Sequence, residues 1–364
     1  MRIMQVITKR QLRGAELFAS QLADRFVTEG NKVMIVSLRA PVKFPANDQI
    51  EYFDLNLEES SRLFALEGWK RFARLISEWK PDIIQANASE TLKFTISSKW
   101  LFRWRVPIVY RNANKVSDFI RSRTTRIFNS LLIRGIDHVI SVSENCRIDF
   151  IDTFGVPASK TTTIPIGTLI DAGKPIYAFG NDPYWISVAS FVPEKNHTGL
   201  LSIYSQYRSS GGSTPLYIVG DGKLRHILEA LSSSLNIKDA VNLLGYRDDA
   251  VELIAGSQGL LLPSLIEGLP GVILEAFASR VPVIAYDVGG ISEVIQHDVN
   301  GLLIARGDEN LFVEAMLKLD RDPEFRNVIA LRGYETCVGT YDINRIAERF
   351  FKKYQDVIKE YGDA

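Results

Sequence analysis

The sequence predicts an α/β protein built from two doubly wound parallel sheets. Short apolar runs alternate with helical stretches of roughly 10–20 residues, which is the pattern of βαβ units. Thirteen such runs are too many for one open sheet, so we expect two sheets of six or seven strands. The length of 364 residues agrees, because it fits two domains of ordinary size.

Seven of the strand candidates lie in the first half of the chain and six in the second. Those of the first half are residues 2–7, 32–38, 49–54, 82–85, 107–110, 138–142 and 162–164. Those of the second half are residues 185–189, 216–219, 241–244, 259–262, 283–285 and 301–303. Between the halves, residues 166–183 are rich in Gly and Pro and lack periodicity, which predicts a linker.

A last helix is expected at the end of the chain, over residues 342–361. Its apolar positions recur at helical spacing and form one stripe, which needs a partner surface. The members of the stripe are Ile343, Ile346, Phe350, Phe351, Tyr354 and Ile358.

Composition excludes several classes of protein. Hydrophobic residues make up 46% and charged residues 24%, which are globular values. The 43 basic and 43 acidic residues give no net attraction to nucleic acid. Two cysteines are too few for a disulfide framework and suit a reducing compartment. The start turns polar too soon for a signal peptide, and no apolar run is long enough to span a membrane, so we expect a cytoplasmic protein.

The most informative stretch is residues 263–276, PSLIEGLPGVILEA, which follows the predicted strand 259–262. It reads as a Gly-rich turn that opens a helix, with Glu267 before the turn and Glu275 after it. Free N–H groups at a helix N-terminus bind phosphate, and carboxylates accept hydrogen bonds from sugar or ribose hydroxyls. This combination suits a nucleotide-sugar. Pro270 has no N–H, so the expected phosphate cradle consists of the N–H groups of Gly268, Leu269, Gly271 and Val272.

Spacing distinguishes these two acids from the pair of a glycosidase. Eight residues of helix rise about 12 Å, whereas a glycosidase holds its carboxyl groups roughly 5–9.5 Å apart. The two glutamates are therefore better placed to contact two ends of one extended ligand. The alternative is an ordinary strand-to-helix turn with two solvated glutamates, and spacing alone leaves it open.

Lys195 is a further candidate in the second half. It lies in SFVPEKNH, residues 190–197, in the loop after the first strand of the second domain. There it can pair with a phosphate as a point charge. Asn196 and His197 either cap the next helix or contact the sugar. The alternative for Lys195 is a surface lysine beside a helix start.

Two more strand ends are expected to face the same crevice as Glu267, because ligands bind beyond the carboxyl ends of parallel strands. Gly220, in YIVGDG, allows the backbone to approach a ligand closely. Tyr246 or Arg247, in LLGYRDD, can stack on a nucleobase. For each of the three residues the alternative is plain turn chemistry.

The first half offers weaker candidates, which we assign to the acceptor side. Residues 9–16, KRQLRGAE, follow the first strand and open a helix, where Gly14 lets a diphosphate or an acceptor approach the backbone. The sequence is not GxGxxG, so the dinucleotide fingerprint is absent. Arg13 and Asn112 complete this set.

Residues 93–134 carry ten Lys or Arg and a single acid, Asp118, interleaved with aromatic and aliphatic residues. This composition suits an anionic membrane surface. The alternative is a pair of amphipathic helices with a solvated basic face. The sequence shows no DxD or HExxH and no Ser-His-Asp arrangement, and its four histidines are scattered. We expect neither a metal nor another cofactor.

Together these motifs resemble the family 4 retaining glycosyltransferases of GT-B fold, also described as glycosyl transferases group 1. The resemblance rests on the order and spacing of residues 190–197, 217–222, 243–249 and 263–276, and of PVIAYDVGGISEVI at 282–295. In the first half only RGAE and ISVSENC, residues 140–146, contribute.

The fold implied by the resemblance has two Rossmann-like domains facing across a cleft. The first, residues 1–170, would bind the acceptor, and the second, residues 171–345, would bind the nucleotide-sugar donor. Residues 346–364 would form a helix that packs back on the first domain.

The resemblance also implies roles for the candidate residues. Glu275 would bind the ribose hydroxyls of a UDP- or GDP-linked donor, and Glu267 would contact the donor sugar. Lys195 and the phosphate cradle would stabilise the departing diphosphate without a metal. The acceptor hydroxyl would attack the same face of the sugar, which gives retention. The remaining donor contacts would come from Asn196, Gly220, Tyr246 and Arg247.

Three positions depart from the family pattern. Ser190 stands where the family usually has an Arg, five residues before the lysine. Arg13 replaces one of two loop glycines, and Gln85-Ala86-Asn87 stands where a His-rich patch is often found. The loss of the Arg removes one charge from the diphosphate site, and Arg13 or Arg247 is expected to replace it.

The function expected is transfer of a sugar from a nucleotide-sugar to a glycan or lipid-linked glycan, in cell-surface polysaccharide or glycoconjugate biosynthesis. We expect the enzyme to be cytoplasmic, and the basic segment favours a peripheral position on the inner face of the plasma membrane. Two alternatives stay open: a catalytically silent GT-B binding protein, which Ser190 motivates, and a GT-B nucleotide-sugar epimerase.

Overall fold

A computed structural model of the protein describes residues 1–11, 14–42, 44, 46–57, 62–120, 122–170 and 183–363, except the side chains of 62–65. The chain divides into two compact units. Unit 1 is Met1–Gly167 together with Ile343–Ala364, and unit 2 is Thr168–Asp342. The predicted linker lies mostly outside the described residues, so the predicted domain limits at 170 and 345 remain predictions.

The described part of unit 1 contains a seven-stranded parallel sheet. Its strands are β1 (Arg2–Lys9), β2 (Lys32–Arg39), β3 (Glu51–Asp54), β4 (Ile83–Ala86), β5 (Ile108–Asn112), β6 (His138–Ser141) and β7 (Thr161–Thr163). The order across the sheet is β3-β2-β1-β4-β5-β6-β7. The helices between the strands are α1 (Gly14–Thr28), α2 (Arg62–Trp79), α3 (Ser89–Phe102), α4 (Arg123–Ile133) and α5 (Glu144–Phe154).

The described part of unit 2 contains a six-stranded parallel sheet. Its strands are β8 (Trp185–Val188), β9 (Leu216–Val219), β10 (Val241–Gly245), β11 (Gly259–Leu262), β12 (Val283–Tyr286) and β13 (Leu302–Ile304). The order is β10-β9-β8-β11-β12-β13. The helices are α6 (His197–Ser209), α7 (Arg225–Ser234), α8 (Ala250–Ala255), α9 (Gly271–Ala278), α10 (Glu309–Arg321) and α11 (Pro323–Thr340).

The predicted α/β architecture with two sheets is confirmed. All thirteen predicted strands are present, and no strand end differs from its prediction by more than two residues. The strands were recognisable because the central ones are buried on both faces, as in Gly259–Leu262 and Val283–Tyr286. Such strands read as continuous apolar runs flanked by turn residues.

The order of strands creates one topological switch point in each sheet. In unit 1, successive strands are added on one side of β1 as far as β3 and on its other side from β4 onwards, so the switch point lies between β1 and β4. In unit 2 the switch point lies between β8 and β11 for the same reason. The two loops that leave a switch point diverge to opposite faces of the sheet and leave a crevice, where ligands of doubly wound proteins bind. In unit 2 these loops carry Lys195 and Glu267.

The last helix, α12 (Ile343–Gly362), belongs to unit 1. It packs against α1 through aromatic side chains: the ring centroid of Phe350 lies 5.7 Å from that of Phe18, and Tyr354 lies 5.6 Å from Phe26. The prediction that the last helix packs back on the first domain is therefore confirmed.

Each unit has its own apolar core. In unit 2 the core surrounds Trp185 and Phe312, and in unit 1 two clusters surround Phe72 and Phe150. Among the helices of the described residues, none combines the length and apolar composition needed to cross a bilayer.

Candidate active site

The candidate active site lies at the carboxyl ends of the adjacent strands β8 and β11, in unit 2. Several hydrogen bonds join the loops that follow these strands. The Leu265 N–H donates to the Glu194 carbonyl over 2.8 Å, and the Asn196 side-chain amide donates to the Pro263 carbonyl over 3.0 Å. The predicted motifs SFVPEKNH and PSLIEGLPGVILEA are thus held side by side.

Lys195 and Glu267 form an ion pair across this junction. Lys195 ends a short 3-10 turn, Pro193–Lys195, which presents its side chain towards the second loop. The Lys195 Nζ lies 2.6 Å from Glu267 Oε1, although 72 residues separate the two in sequence. The Glu267 side chain is only 6% exposed and that of Lys195 is 27% exposed. A carboxylate so buried requires a cation, and Lys195 supplies it.

The phosphate cradle adjoins this pair at the start of α9. None of the four predicted N–H groups, those of Gly268, Leu269, Gly271 and Val272, donates a hydrogen bond to any of the described residues. Those of Gly271 and Val272 are among the donors that every helix N-terminus leaves unsatisfied, and they carry partial positive charge, whereas those of Gly268 and Leu269 lie in the turn directly before the helix. The turn is therefore chemically equipped to bind an anion.

Gly289 and Gly290, in the loop after β12, contact the turn that forms the phosphate cradle. The Gly290 N–H donates to the Gly268 carbonyl over 2.7 Å. Gly289 has φ +61°, and a Cβ there would lie 1.9 Å from the Glu267 carbonyl oxygen. Only glycine allows this approach. The sequence motif 282–295 contains both residues, but nothing in it indicated that they contact the turn after β11.

Glu275 lies in the second turn of α9 and has a different environment from Glu267. Its side chain is half-buried and makes no hydrogen bond or ion pair with the described residues. Burial among apolar atoms raises the pKa of Glu275 to about 7. A carboxyl group in this state can accept hydrogen bonds that the protein itself does not provide.

Two further buried polar residues, His197 and Ser264, lie in or directly after these loops. Both ring nitrogens of His197 and the hydroxyl of Ser264 lack a hydrogen-bond partner among the described residues. Burial, with a smaller contribution from Lys195, lowers the pKa of His197 to about 4, so its ring is neutral at pH 7. The His197 ring packs edge-on against Phe191, with centroids 4.9 Å apart. Sequence position alone marked His197 as a candidate and gave no signal for Ser264.

The structure accounts for Asn196 and Gly220 through contacts within the protein. Asn196 adopts the left-handed conformation, with φ +53°, and its amide holds the second loop. A Cβ on Gly220 would lie 2.0 Å from the carbonyl oxygen of Ala189. The close approach that Gly220 permits is therefore that of another backbone segment, and its contact with a ligand remains a prediction.

Tyr246 and Arg247 follow β10, the edge strand, with β9 and β8 between it and β11. Tyr246 is 53% exposed, as a stacking platform requires. The Arg247 side chain donates to Asp249 over 2.7 Å. Arg225, which follows β9, is paired with Asp221 and Glu229. Neither arginine is free to replace the cation missing at Ser190 without giving up a carboxylate.

The acceptor-side candidates lie in unit 1. Gly14 opens α1 and is exposed, and a Cβ there would meet no atom within 4 Å, so sterics do not require a glycine. Arg13 lies outside the described residues. Asn112 ends β5, is fully buried, and donates to the Cys146 carbonyl over 3.1 Å.

The residues that replace the family's His-rich patch form a buried polar network. Gln85 donates to Asn87 over 2.9 Å and accepts from the hydroxyl of Tyr354 on α12 over 2.6 Å. Asn87 accepts in turn from the guanidinium of Arg111 over 3.0 Å, and Arg111 donates to the Ala15 carbonyl at the start of α1. Amide side chains can both donate and accept, and both capacities are used in this network.

The chemistry of the unit 2 site follows from these contacts. An anion can bind at the cradle beside Lys195, while hydroxyl groups can bind to Glu267 on one side and to Glu275 on the other. No group of three His, Cys, Asp or Glu side chains within the described ranges is arranged to hold a metal ion.

Solved structures define the fold class. Sucrose-phosphate synthase from Thermosynechococcus elongatus superposes with a TM-score of 0.82 at 18% identity, over 99% of both chains. The HepE protein of Anabaena, solved in complex with UDP-glucose, superposes with a TM-score of 0.81 at 20% identity, over 98% of this chain and 100% of that chain. The protein has the GT-B fold of these structures.

Family models identify the family within this fold. The model described as Glycosyltransferase Family 4 matches residues 12–171, and the model described as Glycosyl transferases group 1 matches residues 173–336. The chain belongs to this family of glycosyltransferases, as its motifs predicted.

Curated relatives are similar over part of their length. N-acetyl-alpha-D-glucosaminyl L-malate synthase of Bacillus anthracis is 35% identical over 145 residues, 40% of this chain and 38% of the relative. The UDP-Gal:alpha-D-GlcNAc-diphosphoundecaprenol alpha-1,3-galactosyltransferase of Escherichia coli is 29% identical over 142 residues, 39% of this chain and 36% of the relative. The matched part of the chain spans less than half the length of these relatives.

Proposed function

We propose that the protein is a retaining glycosyltransferase. It moves a sugar from a nucleotide-diphosphate sugar to a hydroxyl of a glycan or lipid-linked glycan, in the biosynthesis of cell-surface polysaccharide or glycoconjugate. The observation that carries the proposal is the set of four unpartnered N–H groups of the phosphate cradle, beside the Lys195–Glu267 pair and followed by Glu275, which has no partner among the described residues.

In the proposed reaction, the cradle and Lys195 hold the diphosphate of the donor. The bond between the sugar C1 and the diphosphate oxygen breaks, and the diphosphate leaves with the electron pair. The acceptor oxygen forms a bond to C1 on the same face, and its proton passes to the departing phosphate oxygen. Lys195 and the N–H groups stabilise the charge that grows on the diphosphate, and no cofactor is needed in this scheme.

The two acids have separate roles in this scheme. Glu267, held by Lys195, accepts hydrogen bonds from hydroxyls of the donor sugar. Glu275 accepts hydrogen bonds from the ribose. The neutral His197 begins α6, directly after the loop that contains Lys195, and Ser264 lies in the loop after β11. Neither side chain has a hydrogen-bond partner among the described residues, so each can serve as a further contact with the donor. The proposal leaves the donor base open between UDP and GDP.

Relatives support a nucleotide-sugar donor. One HepE structure was solved in complex with UDP-glucose, and another in complex with UDP. The E. coli relative is named for a UDP-galactose donor and a diphosphoundecaprenol-linked acceptor. A lipopolysaccharide core glycosyltransferase of Rhizobium meliloti is 28% identical over 170 residues, which supports a role in surface glycan assembly.

The proposal is tested by screening nucleotide-sugars for thermal stabilisation and then for transfer. With the donor identified, Lys195→Ala should lower kcat by about 10²–10³-fold, the usual loss when one stabilising donor is removed. Lys238→Ala is the matched control. Lys238 is an exposed lysine in the turn before β10, at the amino ends of the strands of the same sheet, whereas the site lies at their carboxyl ends. Equal activity of the wild type and the Lys195 variant would refute the role of Lys195.

The outer face of α4 supports the proposed membrane contact. Ile127, Phe128 and Leu131 are 62%, 55% and 48% exposed, and Arg123 and Arg134 are exposed beside them. An exposed apolar strip flanked by arginines is complementary to an anionic bilayer surface. Since the described part of the chain also has two buried, unbridged cysteines, we place this surface on the cytoplasmic side of the plasma membrane.

Co-sedimentation with vesicles containing anionic phospholipid tests this contact. The double variant Arg123→Glu/Arg134→Glu should lose binding at low salt, while Arg74→Glu on α2 should bind as the wild type does. Arg126 is less suited to the test, because it donates to the Thr153 carbonyl over 2.7 Å at the end of α5. Binding that survives both charge reversals would exclude α4 as the contact.

A catalytically silent binding protein is the second candidate, because Ser190 lacks the expected charge and the described arginines near it are paired. Turnover of a donor to any acceptor excludes it. Nucleotide binding without turnover favours it. Conversion of the donor sugar in the absence of an acceptor would instead indicate an epimerase.

A further inference from the structure

The loops that follow the adjacent strands β8 and β9 pack side by side in unit 2. The Phe191 N–H donates to the Asp221 carbonyl over 3.0 Å. A Cβ on Gly220 would lie 2.0 Å from the Ala189 carbonyl oxygen. A Cβ on Gly222 would lie 2.6 Å from the Phe191 carbonyl oxygen. The absence of a side chain at both glycines therefore allows the two backbones to lie against each other.

This packing places Lys223 beside Ser190. Lys223 directly follows Gly222, and Ser190 lies between the two residues of the β8 loop that the glycines contact. The β8 loop is held in turn to the loop after β11, because the Leu265 N–H donates to the Glu194 carbonyl over 2.8 Å. The loops after β9, β8 and β11 are thus joined in succession at the carboxyl end of the sheet, and Lys223 belongs to the same edge as the candidate active site.

Lys223 differs from the other cations at this edge in having no acidic partner. Lys195 is paired with Glu267, and Arg247 is paired with Asp249. Arg225, in the first turn of α7, is paired with two carboxylates. The side chain of Lys223 is exposed and forms no hydrogen bond or ion pair with the described residues. Within the loops after β8, β9, β10 and β11, all of them described, it is the cation that is free to bind an anion.

A diphosphate at the cradle requires more positive charge than the residues around the cradle supply. Both phosphates of a nucleotide diphosphate are ionised at pH 7, whereas the Lys195–Glu267 pair, with 2.6 Å between Nζ and Oε1, carries no net charge. The N–H groups of the phosphate cradle contribute only partial charges. Ser190, in the loop that carries Lys195, contributes none. A free ammonium group at this edge would therefore strengthen the binding of a diphosphate.

We propose that Lys223 is a donor-binding residue that supplies this charge. Its flexible stem allows the ammonium group to extend past Ser190 and to donate to a phosphate oxygen as a point charge. Lys195 and the phosphate cradle then hold the diphosphate from the side of β11, and Lys223 holds it from the side of β9. The inference rests on the proposed function, because it places the diphosphate of the donor at the cradle.

Isothermal titration calorimetry on the full chain tests the inference, with UDP, GDP and inorganic pyrophosphate as probes. Lys223→Gln should weaken the binding of those probes that the wild type binds by about tenfold, because a charge-assisted hydrogen bond to phosphate is lost. Lys223 is exposed, so its replacement leaves the core of unit 2 intact. Lys238→Gln is the matched control, because it removes an exposed lysine at the amino ends of the same strands, and it should bind as the wild type does.

Ser190→Arg distinguishes a contact with the diphosphate from a structural role of Lys223. In the Lys223→Gln background it returns one positive charge to the same place from the neighbouring loop, so it should restore most of the lost affinity. A structural role of Lys223 in its own loop predicts no such rescue.

Three results would overturn the inference: undiminished binding in Lys223→Gln, a loss that Ser190→Arg does not restore, or no binding of any of the three probes to the wild type. Sugar transfer that proceeds equally in the wild type and in Lys223→Gln would also overturn it and would leave the proposed function standing. Binding that depends on Lys223, without transfer to any acceptor, would support the inference and contradict the proposed transfer.

Discussion

At the scale of single residues, two glutamates eight positions apart have acquired opposite environments. Glu267 is buried against Lys195 at 2.6 Å, whereas Glu275 is half-buried without any partner among the described residues. The sequence predicted that each acid would contact a ligand, but it could not predict the ion pair, because Lys195 is 72 residues away. Nor could it predict the raised pKa of Glu275, which depends on the apolar atoms that the fold places around the carboxyl group.

The raised pKa of Glu275 predicts that nucleotide binding depends on pH. In the proposed binding mode the ribose hydroxyls donate to the ionised carboxylate, so binding should lower the pKa of Glu275 from about 7 and release a proton. Nucleotide affinity should therefore rise as pH increases from 6 to about 7 and then level off. Calorimetric titrations with UDP in buffers of different ionisation enthalpy measure the released proton directly.

Glu275→Gln is the control for this pH dependence. It keeps the shape of the side chain and cannot titrate, so proton release near pH 7 should disappear. The stability of the fold should respond in the opposite direction to affinity. Because the folded-state pKa lies above the unfolded value, ionisation of Glu275 destabilises the wild type as pH rises from about 4.5 to about 7, by up to about 3 kcal/mol relative to the Gln variant. Proton release that persists in Glu275→Gln would assign it to another group.

At the scale of elements, the site consists of loops that follow the strands of unit 2. The strands could be predicted from the sequence, but the contacts between the loops could not. All thirteen strands follow from apolar runs, and the turn after β11 follows from its glycines and proline. The contact of Gly289 with the Glu267 carbonyl joins the loops after β12 and β11, and it depends on strand order. The periodicity of a single sequence predicts local structure, but it does not predict which loops are in contact in the folded protein.

Gly289 should therefore be required for the phosphate cradle. Replacement by Ala would place a Cβ 1.9 Å from the Glu267 carbonyl oxygen and would also strain a φ of +61°. We expect Gly289→Ala to destabilise unit 2 by about 3–5 kcal/mol and to abolish nucleotide binding. Gly307→Ala is the matched control, because Gly307 has φ +85° but open space around it, and it should cost only about 1–2 kcal/mol.

Urea unfolding and UDP titration of the two variants separate strain from collision. Similar losses in both would mean that the turn after β11 yields to the added methyl group. In that case the cradle would be a flexible loop rather than one held in place by Gly289.

At the scale of the whole molecule, the last helix, α12, belongs to unit 1 together with the first part of the chain. The stripe on α12 showed from sequence that the helix needs a partner, and only the family resemblance indicated which unit supplies it. Two members of the predicted stripe, Phe351 and Ile358, are only half-buried, while Val357 is buried. The buried face of α12 is therefore rotated slightly about the helix axis from the predicted face. This orientation allows Tyr354 to contact Phe26 on α1 and its hydroxyl to donate to Gln85.

This membership predicts which part of the molecule each core substitution weakens. Phe350 on α12 is fully buried against Phe18, so Phe350→Ala should cost about 3–5 kcal/mol and reduce the stability of unit 1. Hydrogen exchange should then speed up in β1 and α1 by about a hundredfold or more, because each 1.4 kcal/mol is tenfold, and stay unchanged in β8 and β11. Phe277→Ala is the matched experiment in unit 2, where Phe277 is fully buried, and it should give the reverse pattern. Equal acceleration in both units after either substitution would show that they unfold as one cooperative body, despite their separate cores.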